Sequence, residues 1–514
     1  MSRDRRTAEH AARWALGLSI WMGLVGGFAA ESVAQDPAVA LENTLVQLIE
    51  QSEPSVVSIA KIRQPSLDAG ILGLKPFERG LFVPSEVSSA DPENPDFQPN
   101  TYGAGVIVAG SRANERVILT NYHVVQGGPV FMAPEGDDKT KLFVRFADRR
   151  SCFAFIIAAD PRSDLAVLTL DLENAKIDPA DLKPLDWSAS APIRKGQLVV
   201  MLGNPYAMAH DGSASASWGM VSNLARRPLP STEDRMSQSM MHRLGNLIQI
   251  DGRLNLGTSG GPLLNLKGEL IGLMTSLAAI EGYEKSAGFA IPLDDLTRRI
   301  IKPLLAGHEA EYGVLGVAPA TLTPTAFRDL HTGLKQSSAA RIVSVTLDSP
   351  ASRAGITVGD VILSVGDVPI YTQFDLMRVV GLHPPGSEVA IEIWRSDRGR
   401  FIVKAILGKW PVLDDEGIIE TTPRYAPWRG ISVDYPTGRG KYHHTTDPFR
   451  RAVVVTKVAR DSAAQRAEIQ PGVFITEVNR IPVQTPGEFA EATKTVRGPV
   501  ELRLYEGGRI TVGE

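Results

Sequence analysis

Gly257-Thr258-Ser259-Gly260-Gly261-Pro262-Leu263-Leu264-Asn265 is the stretch on which the reading of the chain turns. Gly257 lets the backbone fold tightly before Ser259, and Gly260 and Gly261 allow close approach after it, because glycine adopts conformations that a Cβ penalises. Such a turn suits a nucleophilic hydroxyl whose own N–H, with that of Gly257, points at a developing oxyanion. Taken alone, the pattern also describes a glycine-rich turn between two strands. The two readings part on whether the chain supplies a base and an orienter.

Upstream lies Leu119-Thr120-Asn121-Tyr122-His123-Val124-Val125, behind the strand-like Arg116-Val117-Ile118. Between it and the serine lies Asp160-Pro161-Arg162-Ser163-Asp164-Leu165-Ala166-Val167-Leu168. A free hydroxyl is a weak nucleophile at neutral pH and needs a neighbouring base. An imidazole titrates near ~6.5, so His123 can take and return the proton. Asp164 would hold the tautomer and stabilise the imidazolium. The chain order His, Asp, Ser is that of chymotrypsin, not of subtilisin or the α/β-hydrolases.

With Leu202-Gly203-Asn204-Pro205 and Gly288-Phe289-Ala290-Ile291-Pro292, these segments resemble, in order, the HtrA/Deg family of serine proteases. The resemblance implies a mostly β chain: a trypsin-like double β-barrel followed by two PDZ domains. It implies His123, Asp164 and Ser259 as catalytic residues and Gly257 and Ser259 as the oxyanion hole. Leu256 and Thr258 depart from the family, which usually has Pro and Asn there. Neither side chain is expected to do chemistry. Position 258 is also not Asp, so the N-terminal ion pair of digestive zymogens has no partner.

The length of 514 residues calls for more than one domain, since single cores stop growing near ~250–300 residues. The expected division is 1–35 as a signal peptide or N-terminal anchor, 36–305 as the protease, 311–408 as a first PDZ domain and 424–514 as a divergent second. A net charge of −4 argues against nucleic acid as the main partner. One cysteine, Cys152, excludes an intrachain disulfide framework and sits in an apolar stretch as a core residue.

Arg3, Arg5, Arg6 and Arg13 precede an uncharged apolar run over residues 14–30, then Ser32-Val33-Ala34. That is the pattern of a secretory signal peptide. The run is also long enough to span a membrane if it is retained. Either way the rest of the chain is expected outside the cytoplasm, in the periplasm or its equivalent, with membrane contact only if the segment stays.

Leu41, Leu45, Leu48 and Ile49 recur at helical spacing, and Pro54 ends the helix. Residues 55–60 read as the first barrel strand. Residues 64–102 hold prolines and glycines with little periodicity and read as a long loop insertion. In the resemblance it takes the place of a regulatory loop. Short strands follow at 103–109, 117–120, 142–146, 154–159 and 166–170, the spacing of a sandwich or barrel. The second barrel is expected to begin near 197–202 and to close with 269–275 and 286–291. Leu254, Thr275, Ser276 and Leu277 flank Ser259 as the family's substrate pocket does. They are apolar or small, so a small or medium aliphatic residue is the expected preference, weakly discriminated.

From about 311 the chain repeats. Ser349, Ala354, Gly359, Ile362 and Pro369 recur 113 positions later as Ser462, Ala467, Gly472, Ile475 and Pro482. Leu315-Gly316-Val317 recurs as Arg429-Gly430-Ile431. Both copies resemble PDZ domains, which bind extended peptides by strand addition and hold the terminal carboxylate in a backbone loop. Val314, Leu315, Gly316 and Val317 would form that loop in the first copy, and a helix over 373–380 the other wall. In the second copy Glu468 stands at the Gly355 position and is expected to disfavour a left-handed turn. Val473 replaces Asp360, and the loop carries Arg429.

Two functions follow. One is an extracytoplasmic serine endopeptidase that cleaves unfolded or damaged proteins, with PDZ domains capturing substrate C-termini. The other is a PDZ-based holdase, chaperone or scaffold with a regulated or weak protease domain; the intact triad disfavours it. The resemblance implies a homo-oligomer, a trimer or multiples. No cofactor and no metal are implied. His443-His444 lacks a cysteine or carboxylate motif and reads as a solvated loop.

Overall fold

The computed structural model describes residues 36–63, 92–94, 97, 99, 101–128, 130, 140–188, 192–204, 212–226, 247–252, 254–275, 288–330, 336–413, 415, 417–442 and 447–514. The chain divides into two compact units, residues 1–48 and 49–514. The expected leader, most of the 64–102 loop and His443-His444 lie outside the described residues. Among these residues no helix is long and apolar enough to cross a membrane.

The N-terminal helix runs Pro37–Ser52. It starts ahead of the Leu41-based spacing because proline suits a first helical position, and the Asp36 carboxylate accepts the Ala38 N–H at 3.0 Å. A turn of 3₁₀ helix, Glu53–Ser55, leads into the first strand.

Six strands build the first barrel: β1 (Val56–Arg63), β2 (Thr101–Ala109), β3 (Arg116–Thr120), β4 (Thr140–Phe146), β5 (Ser151–Asp160) and β6 (Leu165–Leu170). Their order is β5-β4-β1-β2-β3-β6, closed by β5 against β6. Thr101 and Tyr102 were expected in the long loop. They instead extend β2, because Lys61 and Ala60 of β1 pair with them. Val57, Ile59, Ile107, Ile118, Val144 and Leu168 fill the interior. Cys152 joins them at 4% exposure. Burial first, and then the charge of Asp171, push its thiol up to about 12, which makes it a packing residue.

The second barrel comprises β7 (Leu198–Gly203), β8 (Ser215–Arg226), β9 (Leu247–Ile250), β10 (Pro262–Asn265), β11 (Leu270–Thr275) and β12 (Gly288–Pro292). It closes in the order β10-β11-β12-β9-β8-β7. The helix Asp295–Leu305 follows, capped by the Asp294 carboxylate on the Thr297 N–H at 2.8 Å.

Two further sheets complete the chain. The first holds β14 (Val317–Thr321), β15 (Ala340–Val345), β16 (Val361–Val365), β18 (Glu388–Arg395) and β19 (Gly399–Ile406), with β17 (Val368–Pro369) on β16. β13 (Gly313–Val314) pairs with β20 (Gly408–Lys409) beside it. The second holds β22 (Ile431–Asp434), β23 (Val453–Val458), β24 (Phe474–Val478), β26 (Val500–Leu504) and β27 (Arg509–Val512), with β25 (Ile481–Pro482) on β24. A shift of 474 − 361 = 113 carries β15, β16, β17 and the helices Pro350–Arg353 and Gln373–Gly381 onto β23, β24, β25, Ala463–Arg466 and Pro486–Lys494 with the same bounds. Each longer helix starts with a reciprocal capping box, Thr372 with Asp375 and Thr485 with Glu488.

The expectation for Glu468 fails. Its φ is +59°, against +77° at Gly355, so the same left-handed turn forms with a side chain present. Ala464 and Ile469 beside it are buried in the second core, and that packing holds the turn.

Between the two copies lies β21 (Ile419–Glu420), which belongs to neither sheet: it pairs antiparallel with Ala158 and Ala159 of β5 in the first barrel. A buried ion cluster lies close by. The Lys409 ammonium, 1% exposed, stands 3.2 Å from Glu309, 3.2 Å from Glu311 and 3.1 Å from Asp434. Arg162 and Arg439 also reach Glu309, at 3.3 and 3.0 Å. Burial works to raise the Glu309 pKa, but Lys409, Arg162 and Arg439 hold it at about 2.

Candidate active site

The His123 and Asp164 turns meet because of strand register. Thr120, at the end of β3, pairs with Ala166, near the start of β6. His123 follows the first strand in a short helix, Tyr122–Val125, and Asp164 precedes the second. The Asp164 main-chain carbonyl accepts the Tyr122 N–H at 3.1 Å and the Asn121 amide at 3.1 Å. Asn121 is fully buried, and its Oδ1 has no hydrogen-bond partner among the described residues.

The Asp164 side chain is 2% exposed and gathers three donors. The His123 backbone N–H donates to Oδ1 at 3.0 Å. The His123 ring Nδ1 stands 2.9 Å from Oδ2. The Thr275 hydroxyl donates to Oδ2 at 3.2 Å. This set holds the carboxylate in place and fixes the ring with Nδ1 toward it. Asp164 holds a left-handed φ of +55°. Non-glycine residues rarely adopt it, aspartate being among the more tolerant. The turn before it is clamped by buried Asp160. That carboxylate accepts the Ser163 N–H at 3.1 Å, the Ser163 hydroxyl at 2.7 Å, Arg162 Nε at 2.6 Å and the Tyr312 hydroxyl.

Ser259 sits in the turn before β10, 3% exposed. Its carbonyl accepts the Ala104 N–H of β2 at 2.8 Å, which pins this second-barrel turn to the first barrel. Gly260 N–H donates to Met274 O and Met274 N–H to Gly261 O, both at 2.9 Å. Gly257 and Gly260 have φ of +96° and +86°. A Cβ on Gly257 would stand 2.2 Å from Asn204 O, and one on Gly260 2.0 Å from Ala104 O. Both positions therefore require glycine for conformation and for space. Gly103 lies between the turns: a Cβ there would meet Val124 at 2.6 Å and Ser259 O at 3.2 Å.

The pocket residues divide. Leu254 is half-buried against the second-barrel core and lies beside Gly288. Thr275, expected on the pocket wall, directs its hydroxyl at Asp164 and is 1% exposed. The register of β11 places it there. Ser276 and Leu277 lie outside the described residues. Asn204 was part of a motif without a role; its carbonyl backs Gly257 and its amide donates to the Ser58 hydroxyl at 2.8 Å.

At the first smaller sheet Val314 of β13 and Val317 of β14 flank Leu315 and Gly316. Leu315 is 3% exposed and Gly316 has φ +74°. Leu315 O accepts Ala351 N–H and Gly316 O accepts Thr346 N–H, both at 2.9 Å. The second copy repeats these bonds at Arg429 O from Ala464, 3.2 Å, and Gly430 O from Ala459, 2.8 Å. It then adds a closure of its own: Trp428 N–H donates to Ile431 O at 2.9 Å and Ile431 N–H to Trp428 O at 2.8 Å. Arg429 lies over Trp428 and donates to the carbonyls of Val512, Gly513 and Gly498 at 2.7–2.8 Å.

Residues 103–273 match the family described as "Trypsin-like peptidase domain", and residues 313–401 the family described as "PDZ domain". A protein of Pseudomonas fluorescens named "Probable periplasmic serine endoprotease DegP-like" is 29% identical over 90% of this chain and 91% of its own. One of the same name from Brucella suis is 29% identical over 79% and 72%. A solved structure titled "HtrA-type protease AlgW with decapeptide" aligns with TM-score 0.46 and 25% identity over 72% of this chain and 99% of its own. The chain is a trypsin-like serine endopeptidase that carries PDZ domains. Within that class it is similar to proteins named as periplasmic DegP-like serine endoproteases.

Proposed function

We propose that the protein is an extracytoplasmic endopeptidase that cleaves unfolded or damaged proteins through His123, Asp164 and Ser259. The observation that carries this reading is the Asp164 carboxylate, bonded at once to the His123 ring and to the His123 main chain beside the serine turn. Asp164 fixes the imidazole through Nδ1, so the other ring nitrogen serves as the base. It takes the Ser259 proton as Oγ attacks the scissile carbonyl, and returns it to the leaving amine. The N–H groups of Gly257 and Ser259 stabilise the oxyanion. Water, activated by the same histidine, then hydrolyses the acyl-enzyme. Leu254, half-buried against the second-barrel core, lines an aliphatic substrate pocket.

The first PDZ domain, 311–408, captures C-termini through residues 314–317 and delivers substrate to the protease, 36–305. The second, 424–514, is a docking copy. Residues 1–35 direct export, in keeping with relatives whose names place them in the periplasm. The working particle is a homo-oligomer.

The test is proteolysis of casein by residues 36–514, with and without Ser259→Ala or His123→Ala. Each substitution should lower kcat on the order of 10⁴–10⁶-fold without changing Tm, since triad members act as a unit. A Ser259→Ala enzyme that digests casein at the original rate would remove the serine from the reaction.

A further inference from the structure

We propose that residues 417–422, between the two PDZ copies, are a working part of the protease: they position the His123–Asp164 pair from behind, and Gly417 and Tyr122 are positioning residues. The inference rests on the triad reading above.

One edge of β5 explains why the segment is there. β4 covers that strand only over Ser151 to Ala154. Beyond it the edge needs other partners, since an open row of strand N–H and C=O groups is a liability. Val130 bridges to Ile156. The Thr421 hydroxyl donates to Ile157 O at 2.9 Å. Glu420 and Ile419 pair with Ala158 and Ala159. The next residue, Asp160, is the buried clamp of the turn that carries Asp164. The far end of the segment is fixed in turn, since the N–H groups of Thr421 and Thr422 both donate to Gly307 O at 3.0 Å.

The near end touches the histidine's own helix. Gly417 has φ +78° and lies on the Tyr122 ring: a Cβ there would be 2.0 Å from Oη and 2.7 Å from Cζ. Tyr122 and Ile419 both pack against the first-barrel core. The Tyr122 N–H also donates to Asp164 O. One short segment therefore braces the turn of the aspartate and the helix of the histidine together. Catalytic geometry is intolerant of such parts shifting, because a misplacement of about 1 Å can cost about a hundredfold in rate.

The test uses the full chain and a short peptide nitroanilide, too small to need a PDZ groove. Gly417→Ala should lower kcat at least tenfold with KM within twofold, and displace the acid limb of the kcat/KM profile. Adding Tyr122→Phe, which removes the nearest struck atom, should recover at least half of the loss on a logarithmic scale. Gly399→Ala is the control for backbone strain: its φ is +72° and no atom lies within 4 Å of the new methyl. It should leave kcat and the profile unchanged. If Gly417→Ala does not fold, Thr421→Val is read by the same criteria, with a threefold to tenfold fall in kcat expected. A Gly417→Ala enzyme that loses Tm but keeps the kcat and pH profile of Gly399→Ala overturns the inference. So does a double variant no better than the single one. Ser259→Ala is assayed alongside: an inactive Ser259→Ala with an unaffected Gly417→Ala overturns this inference alone, whereas an active one overturns the triad itself.

Discussion

The two PDZ copies keep one backbone and give the same loop to different tasks. In both, the N–H of a buried helix start donates to the loop, Ala351 to Leu315 O and Ala464 to Arg429 O. In the first copy Leu315 drops into the core beside Ile356 and Leu376. In the second, arginine stands at that place and leaves the core. Its guanidinium ties together the carbonyls of three residues near the C-terminus, while Trp428 fills inward and meets Phe489 edge-on at 6.0 Å. Phe489 is the counterpart of Leu376 on the groove helix, so the second copy spends its loop on itself. The frame survives because its core positions are matched. The loop can be reassigned because it rests on main-chain bonds that do not depend on the side chain.

The largest effect expected from that contrast is on stability. Leu315→Ala should destabilise the first copy by about 2–5 kcal/mol through the cavity it leaves. Arg429→Met should cost the second copy less, about 1.5–3 kcal/mol, the range for hydrogen bonds to a charged group. Urea titrations of the full chain, followed by Trp fluorescence, would read both. An Arg429→Met loss larger than that of Leu315→Ala would mean that the arginine, not the aromatic pair, holds the second core.

Peptide binding comes next. A peptide ending in a free Val should bind a Ser259→Ala chain about tenfold more tightly than its amide, a difference of about 1.4 kcal/mol. Gly316→Ala should abolish that difference, since φ is +74° and the new methyl would stand 2.4 Å from the Ser349 Cβ. Gly430→Ala, with the same crowding against Ser462 at 2.3 Å, should leave it intact. If Gly430→Ala removes it instead, the second copy is the receptor.

A reciprocal swap is smaller. Glu468→Gly should stabilise the chain by about 1 kcal/mol and Gly355→Glu should destabilise it by about as much, because a side chain in the left-handed region costs about 1–2 kcal/mol. Thermal melts of the two variants would show shifts of opposite sign. Shifts of one sign would mean that Glu468 makes a compensating contact.

The smallest effect is a pH dependence confined to the first copy. His383 stands 2.8 Å from Arg299 of the helix after the second barrel. The 113-residue shift puts Val496 at its counterpart. Burial, and then the Arg299 charge, lower the His383 pKa from its ordinary value. The folded state therefore prefers the neutral ring. Its stabilising contribution is complete above pH ~6.5 and is lost as the pH falls below that value, where the unfolded chain takes up a proton that the folded chain resists. The contact is exposed, so less than about 1 kcal/mol is expected. His383→Leu should flatten that part of the Tm–pH curve, and a curve of unchanged slope would count against it.

Much of this was legible in the residues themselves. The three turns that carry the proposed catalytic residues are written as short local motifs, each ending or beginning a strand. The PDZ frame is written as a repeat with a fixed offset. What the sequence hid depended on distant partners. Thr275 looks like a pocket residue until the register of β11 turns its hydroxyl to Asp164. Arg429 looks like a groove charge, but the carbonyls it binds lie 69 to 84 positions away. Ile419-Glu420 is too short to show a strand period, and its ladder partner is more than 250 positions upstream. Glu468 followed the tertiary packing around it rather than its local preference.

Cys152 has a consequence of its own. It is the chain's one thiol, it faces Val144 across β4 and β5, and burial with the Asp171 charge pushes its pKa up, so the folded chain holds it as a covered thiol rather than a thiolate. Closed molecules are therefore nearly invisible to an alkylating reagent, and each modification records one opening of the first barrel. The protein carries a built-in stopwatch for that event, with a single hand, read by mass as one adduct per chain and uncomplicated by a second cysteine anywhere in the sequence.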